Sequence, residues 1–377
     1  MNSAEQISTA IQSLQLSLGP HNSSEIRIGE GILKLLPEWL PKDSADPHVV
    51  LVADAFLSAQ AEALQAAFLA QGWRADLIQV PVSEAFKDLE KLMPLYGQLL
   101  EAKTHRRSWL LALGGGVIGD AAGFLAASYM RGIRWVSLPS TLLAQVDSGL
   151  GGKTGVNHPA GKNLIGAFHQ PRWVLCDSAL LNSLPARDVV SGLGEMLKYG
   201  LIYDAAFFDW LMAHLQDLQA LDTDCLVAAI GRCVDFKLQA VAADERDESG
   251  VREILNFGHT VGHALESLID YGYYRHGEAV ILGMWAAIEI SARSGLLAES
   301  CAKELQNSLE KLKLPPIPEI ITDNAIWAKL RYDKKAEGSS LRLILLKNLG
   351  QPVVVKDTPV TLIREAIQAL LKRFQAL

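Results

Sequence analysis

The 377-residue chain has only four cysteines, at positions 176, 225, 233 and 301, and none forms a CxxC pair. Such spacing indicates neither a disulfide framework nor a thiolate zinc site, and the thiols read as those of a reducing compartment. Long apolar runs are missing as well, since no stretch approaches the roughly 20 residues that span a bilayer. The opening MNSAEQIST has no basic segment followed by an apolar core, so a cytoplasmic location is expected. There is no basic excess: 35 Lys and Arg against 42 Asp and Glu leave a formal charge of -7. That balance argues against a general nucleic-acid or acidic-membrane binder but permits a local basic pocket. Internal repeats and low-complexity tracts are absent.

What is present is an apolar content of 49% over a length that favours two domains. In the first half, short apolar runs at Val49 to Val52, Ala75 to Val80, Trp109 to Leu113 and Trp135 to Leu138 alternate with helical patterns at Leu57 to Leu69, Phe86 to Leu100 and Asp120 to Met130. Unbroken rather than alternating apolar strands predict a largely parallel sheet covered on both faces. From Ala186 onward, helical patterns dominate: Ala205 to Leu218, Cys225 to Ala243, Ile254 to Leu268 and Glu278 to Ser294. Near the C-terminus, Leu341 to Leu346 and Pro352 to Val355 fit a hairpin around Lys347 to Gly350, before a final helix at Thr361 to Leu371. The expectation is an α/β N-terminal domain with a dinucleotide-binding sheet over 1–185, and a mainly α-helical metal- and substrate-binding domain over 186–377. The glycine-rich Gln145 to Lys162 is a poor core segment and a candidate ligand loop, which puts the expected active site at the junction.

Gly114, Gly116 and Gly119 have GxGxxG spacing between an apolar run and a helical pattern. A strand, a glycine turn and a helix N-terminus suit a pyrophosphate; the same glycines also suit a plain tight turn. The acid expected about 20 residues further on is missing near Trp135 to Leu138, so an orthodox Rossmann fingerprint is not met. Asp120 reads as a helix cap or a polar-ligand contact, and Glu84 and Lys87 read first as solvated helix surface.

In NFGHTVGH, His259 and His263 share one helical face, and His276 opens the next helical pattern. Imidazoles with a carboxylate such as Glu195 make a mixed site for zinc or a related divalent ion; capping or hydrogen-bonding histidines are the plain alternative. His263 need not be a ligand and suits proton transfer instead. Arg131, Asp147, Lys153, Lys162, Asn163, Lys198, Lys237, Arg252 and Asn256 are the groups that would hold a phosphate, a carboxylate and hydroxyls if folding converges them. Taken singly, each reads as a solvated or turn residue.

Six ordered runs change that reading: GGGVIGDAAGFLAASYMRG, LPSTLLAQVDSGLGGKTGVNHPAGKNLIGAFHQP, LPARDVVSGLGEMLKYG, REILNFGHTVGHALE, HGEAVILGM and LRYDKK. Together they resemble the 3-dehydroquinate synthase family, within the sugar-phosphate cyclases, over nearly the whole chain. The resemblance implies a cytoplasmic lyase of aromatic amino acid biosynthesis that cyclises 3-deoxy-D-arabino-heptulosonate 7-phosphate. It implies NAD, one divalent metal ion (zinc or cobalt), no nucleic-acid or membrane partner, and a homodimer. By the same resemblance Glu195, His259 and His276 are the metal ligands, and Lys153, Lys198 and His263 are catalytic. Substrate falls to Arg131, Asp147, Lys153, Asn163, Lys198, Lys237, Arg252, Asn256, His263 and His276, with Lys334 or Lys335 added. NAD falls to Asp54, Glu84, Lys87, Gly114, Gly115, Gly116, Asp120, Ser140, Thr141, Lys153 and Lys162. The chain departs from the family pattern at Ser83, where a glycine is usual, at Ser140, commonly threonine, and by one extra residue before Arg252 that loosens the alignment of Glu248.

Overall fold

The computed structural model describes residues 11–19, 22–81, 83–269, 272–337 and 342–375, with the backbone alone for 332–337. The chain forms two compact units, one running to Leu184 and taking in Leu221–Arg246, the other made of Pro185–Ala220 and the chain from Asp247 onward.

The first unit contains strands β1 (Gln12–Ser17), β2 (Ser23–Gly29), β3 (His48–Asp54), β4 (Arg74–Val80), β5 (Trp109–Gly114), β6 (Arg134–Pro139), β7 (Lys153–His158), β8 (Gly161–Phe168) and β9 (Trp173–Asp177). Its first helices are α1 (Leu36–Trp39), α2 (Ser58–Ala70), α3 (Leu89–Glu101) and α4 (Gly116–Ser128). Seven strands form one sheet in the order β1-β2-β9-β6-β5-β3-β4, in which only β1 runs antiparallel to its neighbour. The unbroken apolar runs are explained by burial on both faces. Val49, Leu51 and Ala53 of β3 pack with Leu64 and Phe68 of α2, while Val50 and Val52 pack with Leu92 and Leu99 of α3 and Ile118 and Leu125 of α4. Because β3 lies between β4 and β5, the chain reverses its direction of travel across the sheet there. The turn after β5 therefore opens at a topological switch point, where open α/β sheets bind ligands.

The second unit begins with α5 (Ala186–Tyr203), α6 (Ala205–Ala213) and α7 (Leu215–Gln219); the next helix, α8 (Thr223–Ala243), belongs with the first unit. The second unit resumes with α9 (His259–Leu268), α10 (His276–Arg293), α11 (Glu299–Leu309), α12 (Asp323–Glu337), the expected hairpin β10 (Arg342–Asn348) and β11 (Gln351–Lys356), and α13 (Val360–Phe374). The α/β-then-helical architecture is as expected, and among the described residues no helix is long and apolar enough to cross a membrane.

Three local expectations need correction. The Gln145 to Lys162 segment is not one loop: a π-helical turn at Ala144–Ser148 leads into the antiparallel pair β7 and β8. The helix expected from Asp120 starts at Gly116, so Asp120 lies in its second turn and cannot cap it. The pattern from Ile254 to Leu268 is split by Gly258, whose φ of 80° ends the 3-10 turn Val251–Asn256 and restarts the chain as α9 at His259.

Candidate functional site

In the first unit, β5 ends in Gly114 and α4 begins at Gly116, so the first backbone N–H groups of a helix follow the switch-point turn. Gly114 is required by packing, because a Cβ there would sit 2.6 Å from the Ile118 side chain. The Ser140 backbone N–H donates to Gly114 O (2.9 Å), and Thr141 Oγ1 accepts from Ala144 N (3.2 Å), which brings the turn after β6 beside the glycines. Asp54, at the end of β3, accepts from Phe56 N (3.0 Å) as the cap of the next short turn.

Lys87 is buried, not solvated. Its Nζ donates to Asp120 Oδ2 and to Asn163 Oδ1, both at 2.6 Å. Burial raises the Asp120 carboxyl above its usual range, against the lowering effect of the Lys87 ammonium. Asn163 N donates to Asn157 Oδ1 (2.9 Å), and Asn157 Nδ2 donates to Glu84 Oε1 (2.8 Å). These bonds tie the β7–β8 hairpin to the short turn Glu84–Phe86 and to α4. Ser83 has φ -150°, extended backbone open to any residue, so the serine at the family's glycine position costs no strain. On α8, the buried Lys237 donates Nζ to Asp147 Oδ1 (2.7 Å) of the π-helical turn. Lys153 and Lys162 project from the hairpin as exposed side chains, and Arg131 is exposed with φ 65°, next to Met130 at φ 49°.

In the second unit, Glu195 of α5 is wholly buried. Its Oε1 lies 3.4 Å from His276 Nε2, at the start of α10, and 3.6 Å from His259 Nε2, at the start of α9. The other ring nitrogens are anchored: His259 Nδ1 donates to Phe257 O (3.1 Å), and His276 Nδ1 faces Glu266 Oε2 (3.4 Å). Both Nε2 atoms are thereby aimed at the same carboxylate oxygen. Neither Glu195 oxygen has a hydrogen bond of good geometry among the described residues, although Lys198 pairs ionically with Oε2. Ligands about 2.0–2.2 Å from a tetrahedral cation stand roughly 3.3–3.6 Å apart, so these three donors fit one divalent ion. His263, one turn along α9, is exposed, and the nitrogens of the three histidines gather within 4.8 Å of one another.

The electrostatics agree with a cation site. Burial opposes ionisation of Glu195, yet the Lys198 ammonium and both histidines hold its carboxyl well below the usual carboxylate range. Burial and the Lys198 charge push His259 down to about 3, leaving it neutral and ready to coordinate. His276 goes the other way: against burial, its contacts with Glu195 and Glu266 lift it to about 10. Nearby, Lys198 and Arg252 are buried and both act on Tyr203, whereas Asn256 and Glu248 are exposed. Lys334 and Lys335 lie on α12 with side chains outside the described residues.

Glu266, Glu278 and Arg187 were not singled out in the sequence. Glu266 falls seven positions after His259 and three after His263, a helical spacing that fits the same side of α9; no sequence signal of that kind marks Arg187 or Glu278.

Residues 77–191 match the family described as 3-dehydroquinate synthase N-terminal, and residues 192–336 match 3-dehydroquinate synthase C-terminal. A 3-dehydroquinate synthase of Azotobacter vinelandii is 44% identical over 366 residues, covering 96% of each chain. Among solved structures, a 2-deoxy-scyllo-inosose synthase complexed with carbaglucose-6-phosphate, NAD+ and Co2+ superposes with TM-score 0.84 at 26% identity, covering 95% of this chain and 99% of that one. A 2-epi-5-epi-valiolone synthase from Streptomyces hygroscopicus with NAD+ and Zn2+ bound gives 0.82 at 27% identity, again over 95% and 99%.

Proposed function

The chain belongs to the 3-dehydroquinate synthase family, and from that premise we propose how its own residues divide the reaction. It converts 3-deoxy-D-arabino-heptulosonate 7-phosphate to 3-dehydroquinate and phosphate, through transient oxidation of an alcohol, phosphate elimination, reduction and intramolecular aldol closure. Bound NAD supplies the hydride acceptor that becomes the donor on the return step. A bound zinc or cobalt ion supplies Lewis-acid polarisation of a substrate oxygen.

The observation that carries the site assignment is the Glu195 oxygen held between two imidazole nitrogens. Glu195, His259 and His276 would hold the metal. His263, beside them but exposed, would move a proton at its imidazole nitrogen. Lys198 keeps Glu195 ionised and, with Arg252 and Asn256, offers cationic and amide donors to the substrate. In the first unit, Gly114, Gly115 and Gly116 with Ser140 and Thr141 would cradle the pyrophosphate. Asp54, Glu84, Lys87, Asp120 and Lys162 would complete the NAD site, with Lys87 paired to the Asp120 carboxyl and partly offsetting the rise that burial imposes on it. Lys153, Arg131 and Asn163 would meet the anionic groups of the substrate, while the Lys237 contact orients Asp147 toward its hydroxyls. We further infer, from the family resemblance and the free thiols, a cytoplasmic homodimer divided functionally near residue 185.

The test follows substrate, phosphate, product and NADH together over many turnovers of the metal-loaded protein. One phosphate per 3-dehydroquinate, without stoichiometric NADH, is expected. NADH accumulating one-to-one with product overturns the internal return of hydride, and phosphate without 3-dehydroquinate points to a different cyclic product.

A further inference from the structure

α5 and α10 each carry one of the proposed metal ligands, and they meet near their N-terminal ends. Gly277 N donates to Ser191 Oγ (2.9 Å). Two residues beyond His276, the Glu278 side chain is fully buried, although it carries a charge. Its carboxylate accepts from Arg187 Nε (2.8 Å), Arg187 Nη2 (2.6 Å) and the backbone N–H of Arg275 (2.8 Å). The same Arg187 Nη2 donates to Tyr273 O (2.5 Å), and Arg275 pairs back to Asp188 (2.9 Å). The start of α5 therefore grips both the first turn of α10 and the segment entering it.

Glu278 is buried but 46% of the Arg187 side chain is exposed, so desolvation of the carboxylate and solvent screening of the guanidinium leave the pair a poor source of net stability. A two-pronged guanidinium–carboxylate contact does fix distance and orientation, which a packed apolar pair would fix less sharply. Here the fixed quantity is the placement of His276 on α10 relative to Glu195 on α5. We propose that Arg187 and Glu278 are positioning residues for the metal centre, setting its affinity and ligand field without touching the ion. The inference rests on the metal reading above.

Cobalt(II) titrated into the full-length protein, stripped of metal and free of substrate, tests it. Arg187→Met and Glu278→Gln are each expected to weaken cobalt binding about 10- to 100-fold, the range typical of outer-shell partners, and to shift the visible ligand-field bands. Arg187→Lys keeps the charge but loses the fork, and falls between. Arg187→Met alone strands a buried carboxylate, so the double variant Arg187→Met/Glu278→Gln is the safeguard against misfolding. Arg293→Ala removes pairs to Glu289 and Glu365 near the other end of α10, and is expected to leave affinity and spectrum unchanged. Wild-type affinity and bands in the folded double variant overturn the proposal, as does an equal loss in Arg293→Ala. A wild-type protein that binds no cobalt at the three ligands overturns the metal reading and this proposal with it.

Discussion

The two units prepare their ligands in opposite ways. Around the glycine turn, side chains are already satisfied by one another: Lys87 holds Asp120 and Asn163, and Lys237 holds Asp147, leaving backbone N–H groups to meet an incoming anion. In the helical unit, lone pairs converge, with a carboxylate oxygen and two imidazole nitrogens facing one another at 3.4–3.6 Å. The first arrangement is complete in itself and is tuned by exchanging one contact for another. The second is completed by a positive charge, which is a proton or a metal ion. Changes to the helical unit are therefore expected to act through the cation, and changes to the sheet unit through cofactor affinity.

The largest effect is expected from Glu195→Ala, His259→Ala or His276→Ala, each costing more than about 100-fold in metal affinity, beyond what outer-shell changes produce. Metal content after dialysis, set beside residual activity, checks this. His263→Ala is expected to keep its metal and to lose about 10²- to 10⁴-fold in kcat, the range of a general acid–base group. Metal loss in this variant as large as in His259→Ala would move His263 into the ligand set. Next comes Glu266→Gln, expected to weaken zinc about 10-fold or more by loosening the His276 ring.

Protons sharpen the same contrast. With its pKa raised to about 10, His276 is protonated at pH 7 whenever no metal is bound, whereas His259, at about 3, is neutral. Metal uptake at pH 7 should release about one proton, so affinity should climb roughly tenfold per pH unit between pH 6 and 8 and level off above the His276 pKa. Calorimetry in buffers of different ionisation enthalpy counts that proton, and uptake without release would refute the assignment. The smallest effect is expected on the sheet side. Lys87→Met should weaken NAD by about tenfold, or roughly 1.4 kcal/mol, with no change in metal affinity. Fluorescence titration of NAD against the metal-loaded variant measures it.

Much of the sheet was legible because strands buried on two faces leave unbroken apolar runs, as at Val49 to Val52 and Trp109 to Leu113. The strands at the β1 end of the sheet were not. β1 and β2, with sequences QSLQLS and SSEIRIG, carry their buried apolar side chains Leu16, Ile26 and Ile28 singly rather than in a run. The start of α4 and the break at Gly258 also escaped notice, since a helical period does not reveal where a glycine begins or interrupts a helix. At the site, the His259 and His263 pair was visible as helical spacing and His276 as the start of the next helical pattern, but Glu195 became a candidate ligand by chemistry and was assigned only by resemblance. Lys87 was hidden by its composition: a lysine in SEAFK looks solvated until folding brings Asp120 and Asn163 to it. Arg187 and Glu278 lie on different helices, and pairing of that kind leaves no periodic trace.

The contact between Ser191 and Gly277 has a consequence for protein engineering. A Cβ on Gly277 would lie 1.8 Å from Ser191 O, so no other amino acid fits there unless the two helices part. A library meant to redirect such a scaffold toward another cyclic product should hold this pair constant. Random substitution at Gly277 would be scored as lost catalysis when the actual lesion is a displaced histidine.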